Sequence, residues 1–101
     1  MRLVLHPKIY SDIDAIMAYY EEVAATELAK EFYAELRHFM LEAMLEAAKR
    51  PKSFAIRQRD IRRVNLRRFP YHFLFRIVDD TVRVLVVRHH SRHPSLGTRR
   101  R

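Results

Sequence analysis

The sequence predicts an α+β fold in which a helical hairpin packs on a small, mainly antiparallel twisted sheet, in the order β-α-α-β-β-β. Apolar residues recur at helical spacing through the first half of the chain and alternate with polar residues through most of the second half. A length of 101 residues fits one hydrophobic core. We therefore expect a single domain over residues 1–101, in which about 91–101 form a partly ordered basic tail.

The first half predicts one strand and two helices. Residues 2–6 form a short apolar run closed by Pro7, which suits a strand leading into a helix. An amphipathic helix is predicted from residue 8 to about 23, and a second from about Thr26 to Lys49, ended by Pro51. No glycine or proline separates the two helices, so one continuous helix is an alternative. The drift of the apolar stripe and a possible cap at Thr26 favour a hairpin.

The second half predicts three strands. Val64 and Leu66 alternate with polar residues, and residues 71–78 and 81–89 flank a tight turn at Asp79 and Asp80. Alternation places Val82, Val84 and Val86 on one face of the last strand. We expect the first strand to pair in parallel with a central strand of this meander, because two helices lie in the connection between them.

Composition and charge limit the functions that are possible. The chain has no cysteine and one glycine, which excludes zinc ribbons, disulfide scaffolds and glycine-rich nucleotide loops, and we expect no cofactor. No apolar run is long enough to span a membrane, so a cytoplasmic location is expected. Residues 1–50 hold six Lys and Arg against nine Asp and Glu, a balance of −3, whereas residues 51–101 hold fourteen against three, a balance of +11. This asymmetry predicts an anionic partner for the second half.

Two groups of residues are candidate sites. If the alternation holds, one sheet face opposite the helices carries a basic surface suited to a phosphate backbone or an acidic peptide, and a merely solvated face is the alternative. Its members are Arg63, Asn65, Arg67, His72 and Arg76. The second group is the segment 89–94, with three histidines and Arg92. Its spacing fits no zinc motif, so we expect no metal site; it either positions Arg92 and one imidazole or simply ends the strand.

Four segments carry a resemblance to a known family. They are Val64-Asn65-Leu66-Arg67-Arg68-Phe69-Pro70-Tyr71, Phe75-Arg76-Ile77-Val78-Asp79-Asp80, Val84-Leu85-Val86-Val87 and His89-x-Ser91-Arg92-x-Pro94. Together they resemble the C-terminal signature of the RelE/ParE toxin superfamily of type II toxin–antitoxin modules, and the ParE branch more than RelE. The resemblance implies a RelE/ParE-like fold and a growth-inhibiting toxin.

The ParE branch implies inhibition of DNA gyrase and a cognate acidic, ParD-like antitoxin in a hetero-oligomer. The residues that we assign to binding the antitoxin or the target are Arg63, Asn65, Arg67, Arg76, His89 and Arg92. The alternative is a RelE-like, ribosome-dependent mRNA endonuclease, for which Arg67, Arg92 and His89 are the catalytic candidates. The sequence departs from the RelE pattern in having Arg63 and Asn65 at the lysine pair and no tyrosine after Arg92. A second alternative is a non-catalytic nucleic-acid-binding module.

Overall fold

The computed structural model describes residues 1–49 and 60–100. Its elements are β1 Arg2–Leu5, α1 Ile9–Val23, α2 Thr26–Lys49, β2 Arg62–Asn65, β3 Tyr71–Val78 and β4 Thr81–His89. The predicted α+β order and the helical hairpin are confirmed. The prediction that Pro51 ends the second helix concerns a residue outside the described ranges.

The four strands form one sheet in the order β1-β4-β3-β2. β1 pairs in parallel with β4, whereas β2 with β3 and β3 with β4 are antiparallel. The predicted parallel pairing of the first strand with a central strand is therefore confirmed. In the described ranges no helix is long and apolar enough to cross a membrane.

The main core lies between the helices and one face of the sheet, called here the helix face. Its centre is Phe32, which is fully buried and whose ring centroid lies 5.4 Å from that of Tyr71 and 5.5 Å from that of Phe69. Ile9, Ile13, Ile16 and Tyr20 supply the buried stripe of α1. Since these α1 residues recur every three or four positions, the helical periodicity of the sequence is the direct cause of this packing.

A bulge in β4 changes which residues face the helices. Leu74 pairs with Val86, but the next residue, Phe75, pairs with Val84, so Leu85 is an extra residue in β4. The expectation that Val86 shares a face with Val82 and Val84 is therefore wrong. Beyond the bulge Val87 joins the main core instead.

The opposite side of the sheet, called here the far face, carries a second small core. Ile61, Leu74, Leu85 and Val86 are all buried there. The C-terminal segment, residues 91–100, packs over part of it: Gly97 adopts a φ of 81°, and a Cβ at that residue would overlap the Val86 side chain. A residue without a side chain is required at this contact.

An ion pair ties the C-terminal segment to α1 and to the bulge. Arg100 Nη1 lies 2.6 Å from Asp12 Oδ2 and donates a second hydrogen bond to the Leu85 carbonyl oxygen, at 3.1 Å. Asp12 Oδ2 also accepts a hydrogen bond from the Val87 N–H, at 3.1 Å. β1 pairs with β4 only as far as Val84, so the Leu85 carbonyl and the Val87 N–H have no neighbouring strand on that edge. The Asp12–Arg100 pair supplies their hydrogen-bond partners instead.

Candidate functional site

A row of polar side chains crosses three strands on the far face. Asn65, His72 and Arg88 are direct cross-strand partners on β2, β3 and β4, and we call them the polar row. Arg63 extends it, because its Nε donates a hydrogen bond to Asn65 Oδ1 at 2.7 Å. Of the predicted basic surface, the structure thus brings Arg63, Asn65 and His72 together.

The hydrogen bonds around the polar row assign the tautomers of His72 and of the adjacent His90. Arg88 Nε donates to His72 Nε2 at 2.8 Å, so the neutral His72 carries its proton on Nδ1. That proton is donated to His90 Nδ1 at 2.9 Å, where Arg63 Nη2 also donates at 3.3 Å. The planes of the His90 and His72 rings lie within 11° of each other, and their centroids are 5.1 Å apart. Burial and the nearby charge of Arg63 lower the pKa of His90.

Arg88 is a buried cation held by carbonyl oxygens. Its side chain is almost enclosed, with the residue only 7% exposed, and Nη1 donates hydrogen bonds to the backbone oxygens of His93, Pro94 and Leu96. Burial, followed by the charge of Arg63, lowers the pKa of its guanidinium. The hydrogen bonds of Arg88 therefore hold the C-terminal segment against the far face. This part of the face is packed and hydrogen-bonded, and it is not a row of solvated arginines.

Arg76 and Arg67 lie apart from the polar row. Arg76 is paired across the sheet with Arg83, nearer to the β3–β4 turn. Arg67 follows β2, and its N–H donates to Glu35 Oε2 on α2 at 3.1 Å while its guanidinium lies 6.0 Å from the centre of the Phe39 ring. The expectation that Arg67 shares the far face with Arg63 is therefore wrong, because the strand alternation ends at Asn65.

His89 and Arg92 line a separate cavity of about 260 Å³ between α1 and the end of β4. Tyr19, Tyr71 and Asp12 also contribute to its walls. The Nδ1 atom of His89 accepts a hydrogen bond from the Ser91 N–H at 3.0 Å. The imidazole packs edge-on against the Tyr71 ring, with the two ring centroids 5.1 Å apart. In the neutral imidazole the remaining proton is therefore on Nε2, which is a donor.

Sequence reasoning missed Arg88 and the Asp12–Arg100 pair, and it placed His90 in the candidate segment 89–94 without linking it to His72. Arg88 looked like one more cation of a charged strand, and nothing local links Asp12 to a residue at the other end of the chain. The sequence held no signal for Arg88, because only the bulge at Leu85 brings it opposite His72; an uninterrupted register would place Val87 there. In residues 1–49 and 60–100, no three His, Asp or Glu side chains are grouped to hold a metal ion.

An apolar groove separates α1 from α2 next to β1, with a volume of about 310 Å³. Tyr10, Tyr33 and Leu41 line it and are 61%, 42% and 39% exposed. Large apolar side chains grouped at a surface cleft are typical of protein-binding sites. This groove was not predicted as a site, because apolar residues at helical spacing indicate a core-facing stripe and not a cleft between two helices.

Comparison with known proteins identifies the chain. A family model for the ParE toxin of the type II toxin–antitoxin system, parDE, matches residues 3–94. The protein is thus a toxin of a type II toxin–antitoxin system. More narrowly, it belongs to the ParE toxin family, which confirms the resemblance found in the sequence.

A solved structure supports the same fold. The chain is similar to one from the chromosomal ParDE toxin–antitoxin system from P. aeruginosa, with a TM-score of 0.69 and 22% identity, over 88% of this chain and 95% of that one. At this identity the likeness concerns the fold. A search of curated proteins finds no match to the chain.

Proposed function

We propose that this ParE-family toxin inhibits DNA gyrase and that an acidic, ParD-like antitoxin neutralises it in a hetero-oligomer. The family match over residues 3–94 supports a parDE-type function. The observation that favours inhibition by binding over RNA cleavage is the separation of the three catalytic candidates. His89 and Arg92 line one cavity, whereas Arg67 contacts Glu35 and Phe39 on α2.

RNA cleavage needs a base for the 2′-hydroxyl, an acid for the leaving oxygen and cations for the phosphate, all within reach of one phosphodiester. His89 is poorly arranged as the base, because Ser91 already donates to its Nδ1 and its Nε2 carries a proton. Those contacts orient the imidazole without leaving it a free lone pair. A binding role for Arg92 and the segment around it needs no such proton transfer.

The direct experiment is a pair of cell-free assays on the purified chain. We expect the toxin to abolish gyrase supercoiling of a relaxed plasmid and to leave a translating mRNA intact in a toeprinting assay. Codon-dependent mRNA cuts with normal supercoiling would reverse this conclusion, and Arg67→Ala, Arg92→Ala and His89→Ala would then identify the catalytic group.

The antitoxin is proposed to place apolar side chains in the groove between α1 and α2. The groove offers exposed apolar surface, and a net charge of +8 favours an acidic partner. Tyr33→Asp is expected to weaken antitoxin binding by about 30-fold or more, since burying an unpaired carboxylate at an apolar anchor is strongly unfavourable. The matched control is Val23→Asp, which alters an exposed apolar residue outside the groove. Equal losses for both variants in a calorimetric titration would contradict this placement.

Arg63 and Arg67 are proposed to contact acidic side chains of the antitoxin. Reversing both residues to Glu is expected to weaken binding strongly, and unchanged affinity in calorimetry would contradict the proposal. The two single reversals sharpen it, because Arg63 lies on the far face and Arg67 beside α2. A loss confined to Arg67→Glu would place the antitoxin on the helix side alone.

A further inference from the structure

A cationic basin lies where β1 ends and α1 begins, beneath the C-terminal segment. It is an open depression of about 940 Å³ that shares Leu96 with the cavity at His89 and no lining residue with the apolar groove. Two parts of the chain line it, residues 6–8 and the C-terminal segment, and the lining residues are His6, Lys8, Ser95, Leu96, Gly97, Arg99 and Arg100. Four of these residues are basic or can become so, and none is acidic.

The charges of Lys8 and Arg99 are not neutralised within the described part of the chain. Asp12, one helical turn after Lys8, already accepts hydrogen bonds from Arg100 at 2.6 Å and from the Val87 N–H at 3.1 Å. No described carboxylate forms an ion pair with Lys8 or Arg99. Both side chains belong to exposed residues and are available to a partner from solution.

His6 adds a directed hydrogen-bond donor. Its Nδ1 accepts the Lys8 N–H at 3.1 Å, so the proton of the neutral ring lies on Nε2. Burial, and then the charges of Arg100 and Lys8, lower its pKa, while Asp12 opposes the shift. The same positive potential that disfavours a charged His6 favours an anion in the basin.

The chemistry of the lining indicates the kind of anion. Apart from Leu96, the lining residues are basic, hydroxyl-bearing or glycine, so the basin lacks the apolar anchors that a bound peptide requires. Those anchors lie instead in the groove between α1 and α2. Polar and strongly positive surfaces of this type suit phosphate oxygens.

We propose that this basin binds the phosphodiester backbone of nucleic acid, with Lys8 and Arg99 as the principal contacts and His6 as an additional donor. The toxin thereby contacts nucleic acid directly, without reading its sequence, because the lining presents charges and no element that enters a groove of the duplex. This activity goes beyond gyrase inhibition and does not depend on it. It also uses a different surface from the proposed antitoxin contacts.

The test measures binding of the full chain to a short fluorescent DNA duplex of arbitrary sequence, by anisotropy over a series of salt concentrations. Lys8→Glu/Arg99→Glu is expected to lower the affinity at low salt by about tenfold or more and to reduce the slope of log K against log salt by about 2, one phosphate contact per cation. Lys30→Glu/Lys49→Glu is the matched control, with the same change of net charge on exposed residues of α2. We expect it to leave the slope unchanged.

Circular dichroism of each variant establishes that it is folded, and Lys8→Gln/Arg99→Gln provides a charge-removal variant without reversal. Equal effects of the basin variant and the control would overturn the proposal, since binding would then reflect net charge alone. It would also be overturned if Lys8→Glu/Arg99→Glu weakened the binding of a fluorescent poly-glutamate peptide as much as the binding of the duplex. Loss of DNA binding with intact gyrase inhibition would support the basin as a separate site.

Discussion

The two faces of the sheet are built on different physical principles. The helix face is apolar and closed by α1 and α2, and its aromatic centre at Phe32 is fully buried. The far face mixes a small apolar core with buried polar groups, and the C-terminal segment closes part of it through Arg88 and Gly97. The number of arginines on a strand therefore does not determine how exposed that strand is. Arg88 is buried and Arg83, on the same strand and face, is exposed.

The largest loss of stability is expected for a truncation in the core beneath the helix face. Phe32→Ala removes the central ring of the aromatic cluster and should lower the free energy of unfolding by about 3–5 kcal/mol, from the lost burial and the cavity left behind. Urea denaturation followed by circular dichroism measures it. We expect Leu85→Ala, a truncation in the far-face core, to cost less stability than Phe32→Ala. A larger loss for Leu85→Ala would contradict the view that the helix-face core contributes more.

Arg88→Met tests whether the buried cation organises the far face. It leaves three carbonyl oxygens and His72 Nε2 without their donor, so we expect a loss of about 2–3 kcal/mol in the free energy of unfolding. Arg83→Met is the control, since exposed substitutions change stability by only about 0.5 kcal/mol. Equal urea midpoints for the two variants would show that the far face is a solvated surface after all.

Gly97→Ala tests the packing of the C-terminal segment. The new methyl group would overlap Val86, and alanine is disfavoured at a φ of 81°, so we expect a loss of about 1–3 kcal/mol. Limited proteolysis should also cleave this segment faster in the variant. Unchanged proteolysis and an unchanged melting temperature would mean that the segment does not stabilise the far face.

The smallest expected effect is the contribution of His90 to the pH dependence of the free energy of unfolding. Its pKa is lowered in the folded state, so the unfolded chain binds the proton more readily, and stability falls as the pH drops below about 6.5. His90→Gln should flatten this slope, which is at most about 1.4 kcal/mol per pH unit for one proton. His6 has a pKa shift of the same sign, so the wild-type slope contains both contributions. Urea midpoints of the wild-type chain and of His90→Gln, measured at several pH values, isolate the contribution of His90. An identical pH slope in the two proteins would contradict this contribution.

The sequence predicted the two helices well because each keeps one periodicity from end to end. The bulge could not be predicted, since Leu85, Val86 and Val87 are all apolar and suit either face. Arg67 was misplaced because its alternation with Leu66 continues past the end of β2 at Asn65. The Asp12–Arg100 contact joins residues 88 positions apart, and no local pattern reveals such a pair.

The most direct test of the central proposal is a gyrase supercoiling titration with the toxin, with and without its cognate antitoxin. We expect supercoiling of a relaxed plasmid to fall as toxin is added and to return when the antitoxin reaches the stoichiometry of the complex. Full supercoiling at every toxin concentration, with the toxin shown to be folded and to bind its antitoxin, would contradict gyrase inhibition.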